Sequence, residues 1–113
     1  PYMPAKGTPL ALEGGAGSTD LNLKVISILR IMMPGIRITA QQPGKDSQKG
    51  LADPEGNLDA LGAGADMLFA DMLPDALAKN FSVVDNRITL GLEHIRTMAE
   101  KSGMSLVFRP DYA

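Results

Sequence analysis

The stretch ILRIMMPGIRITA (residues 28–40) decides the fold that the sequence predicts. It indicates the end of a helix, an abrupt stop and then a strand. Pro34 cannot continue a helix, because its ring removes a backbone donor and clashes with the preceding turn. Gly35 can adopt the left-handed conformation that often ends a helix. A helix followed at once by a strand is typical of half a βαβ crossover.

The helix before this stop has a regular apolar stripe. It comprises Leu21, Val25, Ile28, Leu29 and Met32. Because these residues are spaced i, i+4, i+7, i+8 and i+11, they fall on one helical face, which is predicted to pack on the core. Ser18, Thr19 or Asp20 can cap the helix, which is predicted to run to about Met33.

The strand after the stop alternates between two faces. Ile36, Ile38 and Ala40 point to one side, and Arg37 and Thr39 point to the other. Strands of a parallel sheet are normally apolar on both faces, so a charged side chain here is unusual. Arg37 is therefore the first candidate functional residue. The structural alternative is an arginine that pairs with a carboxylate or reaches solvent.

The remaining chain alternates between helices and short apolar runs. An extended loop is predicted over 1–17. After the first strand, the sequence predicts a helix capped by Asp53 and ended near Gly62 and Gly64, and then a strand over 66–70. One helical turn at 75–78, a helix from Asp85 or Asn86 to Gly103, a last apolar run over 104–108 and the tail 109–113 follow. The fold class predicted from this order is α/β, a partial TIM-type (β/α) barrel of about three parallel strands alternating with helices over residues 18–108.

Long loops follow the first two predicted strands, after Ala40 and Ala70. Barrels and open α/β sheets keep their active sites at this carboxyl end. Asp71 therefore becomes a candidate ligand contact, with capping of the following turn as the alternative. His94 is the only histidine, lies off the apolar stripe of its helix and is predicted to be solvated.

Composition limits the function classes. The 113 residues suffice for one small domain, and a net charge of −2 gives no electrostatic case for binding nucleic acid or an anionic membrane. The absence of cysteine excludes disulfides and thiolate ligands within the chain. No membrane segment or signal peptide is visible, so a cytoplasmic location is expected. The start at Pro1 predicts a piece of a longer protein.

Three segments carry a family resemblance: KGTPL (6–10), RIMMP with the strand IRITA (30–40), and AGADMLF (63–69). They follow one another in the order and spacing found in biotin synthase. From residue 1 to about 106, the chain resembles the C-terminal portion of a biotin synthase-like radical S-adenosylmethionine protein, also called the biotin and thiamin synthesis associated region.

The resemblance implies a (β/α)8 barrel and an enzyme of biotin biosynthesis, a transferase that inserts sulfur into dethiobiotin, or a related radical enzyme. Its cofactors would be S-adenosylmethionine, a [4Fe-4S] cluster on a Cys-x3-Cys-x2-Cys loop and a [2Fe-2S] cluster with one arginine ligand. Arg37 matches that arginine and so becomes the expected metal and cofactor contact. Thr39 and Asp71 become substrate-side candidates.

The same resemblance places every cluster cysteine outside this chain. The chain alone is then expected to hold no cofactor and to be non-catalytic, with the missing N-terminal half of the barrel and a small-molecule substrate as its partners. QQPG (41–44) replaces the family's Gly-Arg-Glu, and ADML (70–73) replaces a Tyr-Gly-Asp-Lys-like stretch. The substrate and the second cluster therefore stay open.

A second hypothesis belongs to another class. A sheet of three strands leaves unpaired edges, which invite pairing with another chain. The sequence is therefore also compatible with a non-catalytic α/β module that self-associates into a homodimer through open sheet edges.

Overall fold

Five helices make up most of the chain described by the structure, a computed structural model that describes residues 7–14, 17–42, 53–78 and 91–108. They are α1 (Pro9–Glu13), α2 (Thr19–Met32), α3 (Pro54–Ala63), α4 (Asp75–Ala78) and α5 (Leu92–Ser102). The described residues are 55% helical and only 3% strand, with no sheet among them. The predicted α/β class, a partial (β/α) barrel with parallel strands, is therefore wrong.

What exists in place of the sheet is a single parallel bridge between Thr39 and Met67. Three backbone hydrogen bonds surround it: Ala40 N to the Met67 carbonyl at 2.8 Å, and the N–H groups of Asp66 and Met67 to the Ile38 carbonyl at 2.9 and 3.0 Å. Residues 36–40 and 65–69 are called the first and second paired segments below. They run in the same direction, as predicted for the first two strands.

Side chains form hydrogen bonds with the backbone groups that a longer strand ladder would use. The N–H of Ile38 donates to Asp66 Oδ1 at 2.7 Å, and the Ile36 carbonyl accepts from Arg30 Nη1 at 2.7 Å. Both groups are satisfied without a neighbouring strand, so the ladder ends after one bridge. The third predicted strand, 104–108, is exposed throughout and forms no bridge with any other described residue.

The ends of α2 agree closely with the sequence prediction. Ser18 caps it, with its Oγ accepting from Leu21 N at 3.2 Å. The helix stops at Met32 because Pro34 follows, and the N–H of Met33 still reaches the Leu29 carbonyl at 2.8 Å. A left-handed Gly35 takes no part in this stop, since the described glycines with positive φ are Gly7, Gly14, Gly64 and Gly103.

The orientation of α2 differs from the prediction. Most of the predicted core stripe is exposed: Leu21 60%, Val25 44%, Ile28 53% and Met32 71%. The core instead receives Ile26, with Leu23 and Leu29 partly buried against it. Beside these apolar residues, Ser27 Oγ donates to the Ala63 carbonyl at 3.0 Å and links α2 to the end of α3.

Helix α3 is the packing centre, since it contacts both α2 and α5. As predicted, Asp53 caps it, with Oδ1 accepting from Glu55 N at 2.8 Å and Gly56 N at 3.1 Å. It ends at Gly64, whose φ is +118°. The main buried cluster combines α3 with its neighbours and consists of Ile26, Ile38, Ala40, Ala60, Leu61, Ala65 and Met98.

The outer parts of the chain show two further differences. The predicted loop 1–17 contains helix α1, because Thr8 Oγ1 accepts from Ala11 N at 3.2 Å and Pro9 is pre-set for a first helical position. The turn at 75–78 is present as α4. The start predicted for the third helix, at Asp85 or Asn86, lies outside the described residues; its described part, α5, ends at Gly103 as predicted.

Replacing Gly64 by alanine should destabilise the protein. The residue has a left-handed backbone, and an added Cβ would lie 2.9 Å from Arg30 Cβ. Backbone strain and this clash together predict a loss of about 2–4 kcal/mol in the free energy of unfolding, measured by urea denaturation.

Gly62→Ala is the matched control. Gly62 lies inside the same helix, and an added Cβ there meets nothing within 4 Å. Since alanine is the better helix former, this variant should be neutral or up to about 1 kcal/mol more stable. Equal destabilisation by both changes would contradict the proposed contact between Gly64 and Arg30.

Candidate functional site

The three site residues predicted from sequence have different surroundings in the structure. Arg37 is exposed, so its guanidinium points away from the core, and the barrel lumen predicted to surround it does not exist. Thr39 is half-buried and lies in the bridge with Met67. Asp71 is half-buried, and its Oδ1 accepts from Leu73 N at 3.0 Å, which is the turn-capping arrangement weighed as the alternative.

A different arginine, Arg30, is held by several specific hydrogen bonds. Its Nε donates to the Gly64 carbonyl at 2.8 Å, and its Nη1 donates to the carbonyls of Pro34 and Ile36, each at 2.7 Å. One side chain therefore joins the end of α2, the following turn and the end of α3. A planar guanidinium can serve three carbonyls in this way because its N–H groups are held in a rigid fork.

Asp66 completes this contact. Its Oδ1 lies 3.1 Å from Arg30 Nη2, an ion pair without the alignment of a hydrogen bond, and accepts from the Ile38 N–H. The carboxylate therefore links the guanidinium to the first paired segment. All these contacts are structural, since Arg30 binds backbone carbonyls and one carboxylate of its own chain.

The site candidate is a set of four polar side chains, Asn22, Gln42, Asn57 and His94, called the amide–imidazole cluster below. Gln42 is 1% exposed and lies two residues after the first paired segment. Its Nε2 donates to the Thr19 carbonyl at 3.1 Å, and its Oε1 accepts from Asn22 Nδ2. Both partners belong to the first turn of α2, so a buried glutamine fixes that turn against the end of the segment.

Asn57 holds the other half of the cluster. It is 5% exposed, and its Nδ2 donates to the Ala40 carbonyl at 2.6 Å. Because Nδ2 is the donor, Oδ1 is the acceptor that lies 2.8 Å from His94 Nε2. The imidazole nitrogen Nε2 must then carry the proton, which leaves Nδ1 as the acceptor of the neutral ring.

The cluster lies where several chain ends meet. Asn22, Asn57 and His94 come from the N-terminal turns of α2, α3 and α5, whereas Gln42 follows the carboxyl end of the first paired segment. The second segment leads to the same place, because the Asp71 carbonyl is 3.9 Å from the Cβ position of Gly91, which caps α5. The N-terminal turns of three helices therefore lie beside the carboxyl ends of both paired segments.

Burial lowers the pKa of His94 below its ordinary value of 6.5. Desolvation has this effect because it disfavours the charged imidazolium. His94 is therefore neutral near pH 7, with a fixed ring and an acceptor at Nδ1. Such a group can accept a hydrogen bond or a proton from a small polar molecule.

Sequence reasoning missed this cluster. His94 was predicted to be solvated, and neither Asn57 nor Gln42 was singled out. The available signals were weak: an amide two residues after a predicted strand, and a polar residue one turn into a helix. The contact between Asn57 and His94 joins residues 37 positions apart, so it depends on the packing of α3 against α5.

Metal chemistry has no support in the described residues. The sequence contains no cysteine, and the described residues include no group of three or more His, Asp or Glu that could hold an ion. Within the same residues, no helix has both the length and the apolar character needed to cross a membrane. Arg37, the expected cluster ligand, has no thiolate with which to share a cluster in this chain.

No family model matches the chain, and neither does any curated protein or solved structure. The resemblance to biotin synthase therefore depends on the three segments alone.

Replacing Arg30 by lysine should destabilise the fold. An ammonium cannot donate in the planes of all three carbonyls, and unpaired, partly buried carbonyls are costly. We expect the free energy of unfolding to fall by about 2–3 kcal/mol in urea denaturation. Arg37→Lys is the control, since the exposed Arg37 should tolerate the change within about 0.5 kcal/mol. A larger effect at Arg37 than at Arg30 would refute this assignment.

Stability should depend on pH through His94. Above pH 6.5 the imidazole is neutral in both the folded and the unfolded chain. As pH falls below 6.5, the unfolded chain binds the proton first, so the free energy of unfolding should decrease until pH reaches the lowered pKa of the folded state. Urea denaturation across this range, with NMR titration of the imidazole C–H, provides the measurement.

His94→Gln is the control for this prediction. His94 is the only histidine, so the variant should lose the pH dependence between 6.5 and the folded-state pKa. A folded-state pKa at or above 6.5 in the NMR titration would show that the ring is not desolvated as described.

Proposed function

We propose that the chain is the C-terminal portion of a biotin synthase-like radical S-adenosylmethionine enzyme. The whole protein would insert sulfur into dethiobiotin or carry out a related radical reaction on a small molecule. This portion is non-catalytic alone and supplies part of the surface that receives the substrate. The proposal concerns the activity of the whole protein and leaves the mostly helical architecture of the described residues unchanged.

The observation that carries the proposal is the contact between two of the three segments of resemblance. Arg30 begins the RIMMP segment, and Gly64 and Asp66 belong to the AGADMLF segment. The guanidinium contacts both, and the space at Gly64 admits no Cβ. Two of the three segments of resemblance thus meet in one contact of this chain, and this supports treating them as parts of one motif.

The amide–imidazole cluster supports a substrate-side role. Its buried amides fix His94 at the place where the paired segments end and three helices begin. A neutral imidazole held in this way can orient a polar group of a substrate by accepting a hydrogen bond at Nδ1. His94 is thus a stronger candidate for substrate contact than Thr39 or Asp71, whose side chains lie in the bridge and in a turn.

The iron–sulfur clusters do not fit this chain. Thiolates are the ligands that such clusters need, and the chain has none. No chemical step is therefore assigned to a cluster here. Under the proposal, both clusters and S-adenosylmethionine are held by other parts of the whole protein, and the residues described here bind and orient the substrate.

The test uses protein made from the complete reading frame that contains this sequence. After anaerobic reconstitution with iron and sulfide, it should contain about four or more irons per chain, show the electron paramagnetic resonance signal of a reduced [4Fe-4S] cluster, and cleave S-adenosylmethionine to 5′-deoxyadenosine. The same protein carried through the procedure without iron serves as the control. Reconstituted protein that lacks both a cluster and cleavage would overturn the proposal.

A further inference from the structure

Helix α2 has an apolar face that no described residue covers. Leu21, Val25, Ile28 and Met32, called the outer stripe below, are 44–71% exposed. Ile31 beside them is 80% exposed. Exposed apolar residues are common when scattered singly, but a continuous stripe along three turns marks an interaction surface.

Three polar residues of the same helix face the other side, whereas Asp20 and Lys24 are exposed. Asn22, Ser27 and Arg30 donate hydrogen bonds to Gln42, to the Ala63 carbonyl and to the Gly64 carbonyl, respectively. A surface helix normally turns its polar side to water and its apolar side to the core. Helix α2 buries Ile26 on its core side, with Leu23 and Leu29 partly buried, and it carries a second apolar stripe on the opposite side. Because this outer stripe adds apolar surface beyond what the core needs, we expect a partner to cover it.

The spacing of the outer stripe indicates what covers it. Its intervals of four, three and four residues are those of the alternating core positions in a coiled coil. The intervals read the same in both directions, so the stripe is complementary to its own reversed copy. In an antiparallel pair, Val25 would lie over the partner's Ile28, and Leu21 over the partner's Met32.

We propose that the outer stripe of α2 binds α2 of a second copy of this chain, in an antiparallel arrangement around a two-fold axis between Val25 and Ile28. This inference is independent of the proposed radical chemistry. It retains the homodimer predicted from sequence but replaces open sheet edges, absent from the described residues, by a helical interface.

The size of the stripe predicts a weak dimer. A few half-exposed aliphatic side chains present an area on the order of a few hundred Å² per copy, whereas a standard stable interface buries about 800 Å² per partner. The dissociation constant should therefore lie in the micromolar range or above. The stripe contains no charged side chain, so the association should persist at high salt.

Sedimentation velocity of the full 113-residue chain, from low-micromolar to near-millimolar concentration, tests the association. The sedimentation coefficient should rise from monomer to dimer over this range. Ile28→Lys should raise the dissociation constant by roughly tenfold or more, because the change occurs twice in a two-fold dimer. Val107→Lys is the control: Val107 is also exposed and apolar but lies outside α2, so its variant should dimerise normally.

Cysteine cross-linking tests the arrangement, and the lack of native cysteines makes it specific. A mixture of the V25C and I28C variants should form a disulfide-linked heterodimer under mild oxidation. L21C alone should not, since antiparallel pairing separates its two copies by about 16 Å along the helices. A disulfide needs Cα atoms within about 7 Å.

Three outcomes would overturn the inference. The first is a chain that stays monomeric at every concentration. The second is a dimer that Ile28→Lys leaves intact or that Val107→Lys weakens equally. The third is cross-linking of L21C with itself in preference to the mixed pair, which indicates parallel or unspecific association. Circular dichroism of each variant checks that the total helical content is unchanged, so that a loss of association is not a loss of folding.

Discussion

The guanidinium of Arg30 lies among three backbone carbonyls, and much of the described structure depends on this contact. It joins the turn after α2, at Pro34 and Ile36, to the end of α3 at Gly64. Charged donors form stronger hydrogen bonds than neutral ones, and three carbonyls around one fork fix both distance and angle. The left-handed glycine leaves room for the arginine stem. The register between the two paired segments follows from this geometry.

The same contact limits the strands. Arg30 and Asp66 satisfy backbone groups of the first paired segment that would otherwise seek a neighbouring strand. One parallel bridge therefore remains where the alternating pattern of Ile36, Ile38 and Ala40 predicts a full strand. Arg30 and Ser27 lie with Ile26 on the inner side of α2, and the apolar stripe on the other side is exposed.

The amide–imidazole cluster is a second polar network, at the opposite end of the paired segments. Buried amides are tolerated there because each described amide has its partners: Gln42 on the first turn of α2, and Asn57 on the Ala40 carbonyl and His94. Desolvation lowers the pKa of the imidazole, and the hydrogen bond from Nε2 fixes its tautomer. A neutral imidazole whose Nε2 is held by Asn57 presents Nδ1 as a hydrogen-bond acceptor.

The sequence by itself determined the local features. It placed the start of α2 at Ser18, Thr19 or Asp20, the cap of α3 at Asp53, the stop at Pro34, and the helix ends near Gly62 and Gly64 and at Gly103. Each of these features depends on residues within about one helical turn. Only the tertiary structure decided which face of α2 is buried and which polar residues meet. Helical periodicity finds an apolar stripe but does not show which of two faces packs inward. The hydrogen bond from Arg30 to Gly64 spans 34 positions of the chain and that between His94 and Asn57 spans 37, so neither leaves a local sequence pattern. The first predicted strand is limited to one bridge because Arg30, six positions from Ile36, and Asp66, 28 positions from Ile38, satisfy its backbone groups.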